Sequence, residues 1–92
     1  MIKSFTHKGL QKFYETGTTK GIQSKHVKKI RMRLVALDTA AIIDDLYLPG
    51  FDLHPLKGDR ADTWSIKVSG NYRMTFRFEN GDVYIINYED YH

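Results

Sequence analysis

The chain has no cysteine. That absence removes a disulfide framework, a thiolate zinc site and a cysteine nucleophile at once, and it fits a reducing compartment, with the cytoplasm as the default expectation. Proline is scarce, two residues in 92, and no apolar run approaches the roughly 20 residues of a helical membrane span. The opening Met1-Ile2-Lys3-Ser4-Phe5 lacks the apolar stretch of a secretory signal, so no membrane association is expected. The chain is also too short for a second domain. At 41% hydrophobic and 27% charged it reads as one ordinary globule over residues 1–92. Such a chain buries only about 60–70% of its unfolded surface. No interior is left to enclose a sizeable cofactor, none is expected, and an active site should lie near the surface.

Charge is unevenly spread. The total is 14 Lys and Arg against 11 Asp and Glu, a formal +3. Residues 1–60 hold 11 basic and 6 acidic side chains, whereas residues 61–92 hold 3 and 5. Six cations (Lys20, Lys25, Lys28, Lys29, Arg31 and Arg33) fall between positions 20 and 33 without an acid. Such a segment attracts a polyanion, nucleic acid first, through long-range Coulomb force and counterion release. A solvated helix face explains the same charges, and at +3 overall charge alone does not decide between them.

Glycine and proline punctuate one domain, with no repeat or linker. Ile2 and Phe5 suggest a short opening strand. Thr6 is placed to cap a helix near residues 7–15, with Leu10, Phe13 and Tyr14 on its apolar face and Gly17 at its end. A second helix is expected over residues 24–38, where Val27, Ile30, Leu34 and Leu37 form one stripe and Ser24 can cap. A short helical turn around Ile42 to Leu46 precedes Pro49-Gly50. From Phe51 onward the pattern is extended: Trp64, Ile66 and Val68 alternate, as do Tyr72, Met74, Phe76 and Phe78, and Val83 to Tyr88 is β-branched and aromatic. Asn80-Gly81 signals a type I′ hairpin, and Ser69-Gly70-Asn71 makes the earlier turn. The expected class is α+β, with N-terminal helices on a three-stranded antiparallel meander.

A two-residue Asn80-Gly81 loop sets a register in which Arg73 faces Tyr88 and Asn71 faces Asp90. Arg73, Tyr88, Asp90 and His92 then share the open face, while Tyr72, Met74, Phe76, Phe78, Val83 and Ile85 face the helices. Tyr91, of opposite pleat parity, joins the open face only if the chain twists or bulges after Asp90. A second polar concentration is His54-Pro55-Leu56-Lys57-Gly58-Asp59-Arg60. A histidine beside fixed cations is what phosphodiester cleavage needs: a group to move protons, and positive charge where the phosphorane forms. Alone, the loop is equally a structural turn. His7 and His26 read as surface residues of helices, without a catalytic role. Asp44 and Asp45 have no histidine at metal-ligand spacing, so no metal site is expected.

Taken together, the His54–Arg60 loop, Trp64-Ser65-Ile66, Asn71-Tyr72-Arg73 and the ending Tyr88-Glu89-Asp90-Tyr91-His92 resemble the HigB branch of the RelE/ParE toxin superfamily, over the whole length of the chain. The resemblance implies a RelE-like fold. It also implies a type II toxin that enters the ribosomal A site and cuts mRNA there, with a HigA-like helix-turn-helix antitoxin as partner and a monomeric free toxin. The chemistry implied is metal-free attack of the ribose 2′-OH on the adjacent phosphate. His54, Asp90, Tyr91 and His92 would handle protons or position the RNA, and Lys57 and Arg73 would stabilise the phosphate. Asn71 would read a base edge, and Arg60 and Trp64 would support the site or contact RNA. Lys25, Lys28, Lys29 and Arg33 would meet ribosomal RNA through phosphates. Two other readings stand beside it: a ParE-like inhibitor of DNA gyrase, which needs no His54 and His92 pair, and a non-catalytic basic RNA-binding module.

Overall fold

A computed structural model describes residues 1–90; Tyr91 and His92 lie outside the described residues. Two helices, α1 (Lys8–Thr16) and α2 (Val27–Thr39), cover one face of an antiparallel sheet with strand order β1-β2-β3-β4. The strands are β1 (His54–Pro55), β2 (Trp64–Ser69), β3 (Tyr72–Glu79) and β4 (Asp82–Asp90). The expected meander is therefore present with a fourth, two-residue strand added at its edge, and that strand carries His54. Leu10 and Phe13 from α1, and Ile30, Leu34 and Leu37 from α2, bury their side chains against Ile66, Val68, Met74, Phe76, Val83 and Ile86 of the sheet. Short helical turns at Ile43–Leu46 and Gly58–Arg60 complete the chain path.

Local chemistry explains the element ends. The first helix is capped by His7, not Thr6: the His7 Nδ1 accepts from the Leu10 N–H at 3.0 Å. At its other end Gly17 takes φ 81° and its N–H donates to the Phe13 carbonyl, a conformation open to glycine without steric cost. The second helix is entered through a tight turn, Ser24–His26, and no side chain caps either start. Ser24 is thus not the cap. His26 instead turns inward to 1% exposure, its Nδ1 shares a hydrogen bond with the Tyr88 hydroxyl, and its ring lies 4.8 Å from that of Tyr72. The apolar stripe pulls this turn of helix against the sheet, and the imidazole goes with it.

The hairpin forms as expected at its tip, where Asn80 and Gly81 both take positive φ (51° and 83°) and Glu79 faces Asp82. The register then slips. Phe78 pairs with Val83 and Arg77 with Tyr84, but Thr75 pairs with Asn87, Met74 with Tyr88 and Arg73 with Glu89. The extra residue is in β4 at Ile85, which adopts φ 50° and is 41% exposed. Ile86 and Tyr88 therefore take the core-facing positions, correcting the expected Ile85, and Glu89 replaces Tyr88 opposite Arg73. The bulge is braced from outside. Residues 2–5 run parallel along β4, with bridges Ile2 to Val83 and Phe5 to Ile86. The Ile85 N–H, which has left the ladder, donates to Ser4 Oγ at 2.8 Å.

Two outcomes follow. Ser4→Ala leaves the Ile85 N–H to water and lowers stability by about 0.5–1.5 kcal/mol, measurable by urea unfolding. Burial, followed by the nearby Lys25 and Lys29, holds the His26 imidazole below its ordinary value. Its contribution is complete above pH about 6.5, where the unfolded imidazole titrates, and is lost as pH falls through the lower folded value. Thermal midpoints should drop between pH 7 and pH 5, and His26→Gln should flatten that slope.

Candidate functional site

The sheet face turned away from the helices carries a polar row across all four strands. His54 faces Ser65, Ser65 faces Thr75, and Thr75 faces Asn87. The next row is Lys67, Arg73 and Glu89. Because side chains of opposed residues point to the same side, these seven share one surface, and the bulge at Ile85 is what brings Asn87 and Glu89 onto it.

Glu89 is the acceptor around which this face is organised. Arg60 donates to it in a fork, Nη1 to Oε1 at 3.1 Å and Nη2 to Oε2 at 3.0 Å. Thr75 Oγ1 donates to Oε2 at 2.9 Å and Asn87 Nδ2 at 3.1 Å. Burial pushes the Glu89 carboxyl up, but the Arg60 fork and the two neutral donors outweigh it and hold the group below its ordinary value. The fork ties the loop after His54 to the last strand, 29 positions further along the chain.

Asp52 does the same for His54 and Arg73. The His54 Nδ1 lies 3.0 Å from the Asp52 carbonyl. A carbonyl only accepts, so Nδ1 carries the proton and Nε2 is left as the basic nitrogen of the neutral ring. The Arg73 Nη2 donates to Asp52 Oδ2 at 2.7 Å and its Nη1 to Ser65 Oγ at 3.1 Å. That bond to Arg73 keeps the Asp52 carboxyl below its ordinary value. One acidic residue thus orients an imidazole through its backbone and a half-buried guanidinium through its side chain. The arrangement can accept a proton at Nε2 and hold an anion beside Arg73.

The remaining expected site residues are less uniform. Lys57 is exposed in the same loop. Asn71 is exposed in the β2–β3 turn rather than opposite Asp90, which pairs with Tyr72. Asp90 therefore does not share the open face with Arg73 in the pairing expected, and Tyr88 is buried beside His26. Trp64 has the pleat of Ile66, faces Phe76 and packs half-buried against the core, so it turns from the open face. Lys25, Lys28 and Lys29 are exposed. Arg33 is not: it is 4% exposed and donates to the carbonyls of Lys67 (2.6 Å), Lys29 and Gly50 (3.2 Å each), which corrects its expected place on an RNA-facing surface. Tyr91 and His92 lie outside the described residues. Among the described residues no three potential metal ligands converge.

Glu89, Asp52, Thr75, Asn87 and Lys67 were not expected in the site. All but Asp52 enter it through strand pairing, and Asn87 and Glu89 only through a bulge that the Ile85-Ile86 doublet hides. An acid two positions before His54 was the available signal for Asp52.

Comparison with known proteins now decides the family. The model of RelE-like toxins of the type II toxin-antitoxin system HigB matches residues 3–92. This chain belongs to the HigB-like toxin family. The chain is 55% identical over 92 residues to the endoribonuclease HigB of Proteus vulgaris, covering 100% of both chains. Its fold is similar to the toxin fold in the YoeB-YefM heterotetramer of Staphylococcus aureus, with TM-score 0.63 at 18% identity over 100% of this chain and 95% of the other. It is also similar to a YoeB/ParE toxin of Agrobacterium tumefaciens, with TM-score 0.57 at 17% identity over 96% of each.

Replacing Glu89 by Gln removes the charge that holds Arg60 and should cost about 1–2 kcal/mol at pH 7. Because the folded carboxyl titrates below its ordinary value of 4.5, the native protein loses this contribution as pH falls through that folded value. The Gln variant should show a flatter acid limb in urea unfolding at pH 3–6.

Proposed function

We propose that this HigB-like chain is the toxin of a type II pair and acts as an endoribonuclease that cuts mRNA in the A site of the translating ribosome. The observation that carries this reading is the joint hold of Asp52 on His54 and Arg73, which fixes a proton acceptor and a largely buried cation on the same polar face of the sheet. The name of the Proteus vulgaris relative supports the activity. In the reaction, the ribose 2′-OH attacks the adjacent phosphorus and the 5′ oxygen leaves. The products are a 2′,3′-cyclic phosphate and a 5′-OH. One group takes the 2′-OH proton and a second protonates the leaving oxygen, both drawn from His54 and His92. Arg73 and Lys57 stabilise the extra negative charge of the phosphorane, Tyr91 positions the substrate, and Asn71 reads a base edge from the exposed turn.

Glu89 is a positioning residue: through Arg60 it sets the loop that carries Lys57 relative to β4. So small a surface makes few contacts with a flexible strand, and the ribosome supplies the alignment. Lys25 and Lys28 meet ribosomal phosphates. A HigA-like helix-turn-helix antitoxin restrains a toxin that is monomeric when free, in the cytoplasm where its substrate is.

His54→Ala, or removal of Asp90 to His92, should abolish growth inhibition while leaving the thermal midpoint near that of the parent, with cleavage reduced about 10²–10⁴-fold. Mapped mRNA ends after brief induction should fall in register with codons on translated messages and be absent from free RNA. Retained toxicity in both variants would overturn the nuclease assignment, and double-strand DNA breaks without such ends would point to gyrase.

A further inference from the structure

An open cleft of about 610 Å³ lies between α2 and the β2–β3 turn, apart from the His54–Arg60 loop, and Lys29, Met32, Arg33, Asp52, Lys67 and Gly70 are among the residues that line it. We propose that this cleft binds a phosphodiester of RNA other than the one cut, giving the toxin an extended RNA track. The proposal rests on the ribonuclease reading for its choice of ligand, and on four features of the cleft for its chemistry.

First, Arg33 is a buried cation with no carboxylate partner among the described residues. Its donors meet three carbonyl oxygens and its guanidinium carbon lies 4.6 Å from the centre of the Phe51 ring. Dipoles and a ring face offset only part of the cost of taking a charge out of water. Burial lowers the Arg33 pKa from its ordinary value, yet a guanidinium still keeps its proton at neutral pH. The residual positive potential emerges in the cleft, and an anion there is the missing counter-charge.

Second, exposed Lys29 and Lys67 flank that floor, and neither ammonium makes an ion pair among the described residues. Third, the acid that lines the cleft, Asp52, bonds to Arg73 at 2.7 Å, and it feels Lys67 only through space, without an ion-pair contact. Fourth, Lys67 stands directly opposite Arg73 across β2 and β3, with Cβ atoms about 5 Å apart. The cleft is thereby continuous with the proposed cleavage face, and a strand held at Arg73 has its next phosphates within reach of Lys67 and then Lys29. Met32, 56% exposed at the rim, offers an apolar surface to a sugar or base.

The test compares the full chain with Lys29→Gln/Lys67→Gln, binding non-cleavable 2′-O-methyl RNA of two and of six nucleotides. The wild type should gain about tenfold or more in affinity with length, and the variant markedly less. For the six-mer, the slope of log K against log salt should become shallower by about 1.4 in the variant, 0.7 per lost phosphate contact. In spectra of labelled wild-type protein, amide shifts on six-mer binding should include Lys67, Ser69 and Gly70. A variant that keeps the full length gain and salt slope overturns the proposal. So does an equal loss on both lengths, which would place Lys67 at the cut.

His54→Ala is carried in parallel. If it still cleaves, the nuclease reading fails while the binding result stands on its own. Ribosomes programmed with messages ending just past the A-site codon, or extending beyond it, identify the source of the phosphate. A cleavage deficit of the double variant confined to extended messages assigns the cleft to mRNA, and a deficit on both assigns it to ribosomal RNA.

Discussion

The extra residue at Ile85 is the constraint on which the working face depends. A strand alternates its side chains with period two, so one inserted residue exchanges the two faces for everything that follows. Without it Tyr88 would lie opposite Arg73 on the open side and Glu89 would face the helices. With it, Tyr88 closes the core over His26 and Glu89 receives Arg60, Thr75 and Asn87. The conformation is costly, because at φ 50° the branched Cβ of Ile85 is crowded against the preceding carbonyl oxygen. The structure offsets that cost by giving the displaced N–H a hydroxyl acceptor and by seating Ile86 in the core.

Electrostatically the open face is a set of matched pairs with cations left over. Arg60 is matched by Glu89 and Arg73 by Asp52. These pairs fix the polar side of a loop and a strand whose apolar side chains, Leu53, Leu56, Ile86 and Tyr88 among them, are buried. Among the described residues, the cations without an ion pair include Lys57, Lys67 and the exposed lysines of the α2 segment, and beneath them Arg33. This division suits a phosphate ligand. The paired cations are rigid and placed, while the unpaired ones are free to take up an anion without first breaking an internal bond.

The sequence carried most of the architecture and less of the site. The helices were legible from their apolar stripes and from Gly17, the hairpin from Asn80-Gly81, and the strands from alternation, because each is a local preference written in a few neighbouring residues. The bulge was not legible, since Ile85 and Ile86 are chemically alike and only tertiary packing decides which turns inward. Arg33 and His26 were read as surface groups because polar side chains of a helix ordinarily face solvent, whereas packing carries both inward, where carbonyls and Tyr88 satisfy them. His54 and Arg73 were found because their chemistry is conspicuous. Glu89 was missed because an acid in a run of polar residues looks like any solvated charge.

The opening segment also sets how the molecule is assembled. Residues 2–6 bond to residues 83–86, so the support for the strained strand is supplied by the part of the chain most remote from it in sequence. Such long-separation contacts form late, since a large loop must close before they contribute. The polar face of the sheet therefore takes its final geometry only when this long-separation contact closes. A nick or displacement within the first few residues would disable it from the far side of the sheet.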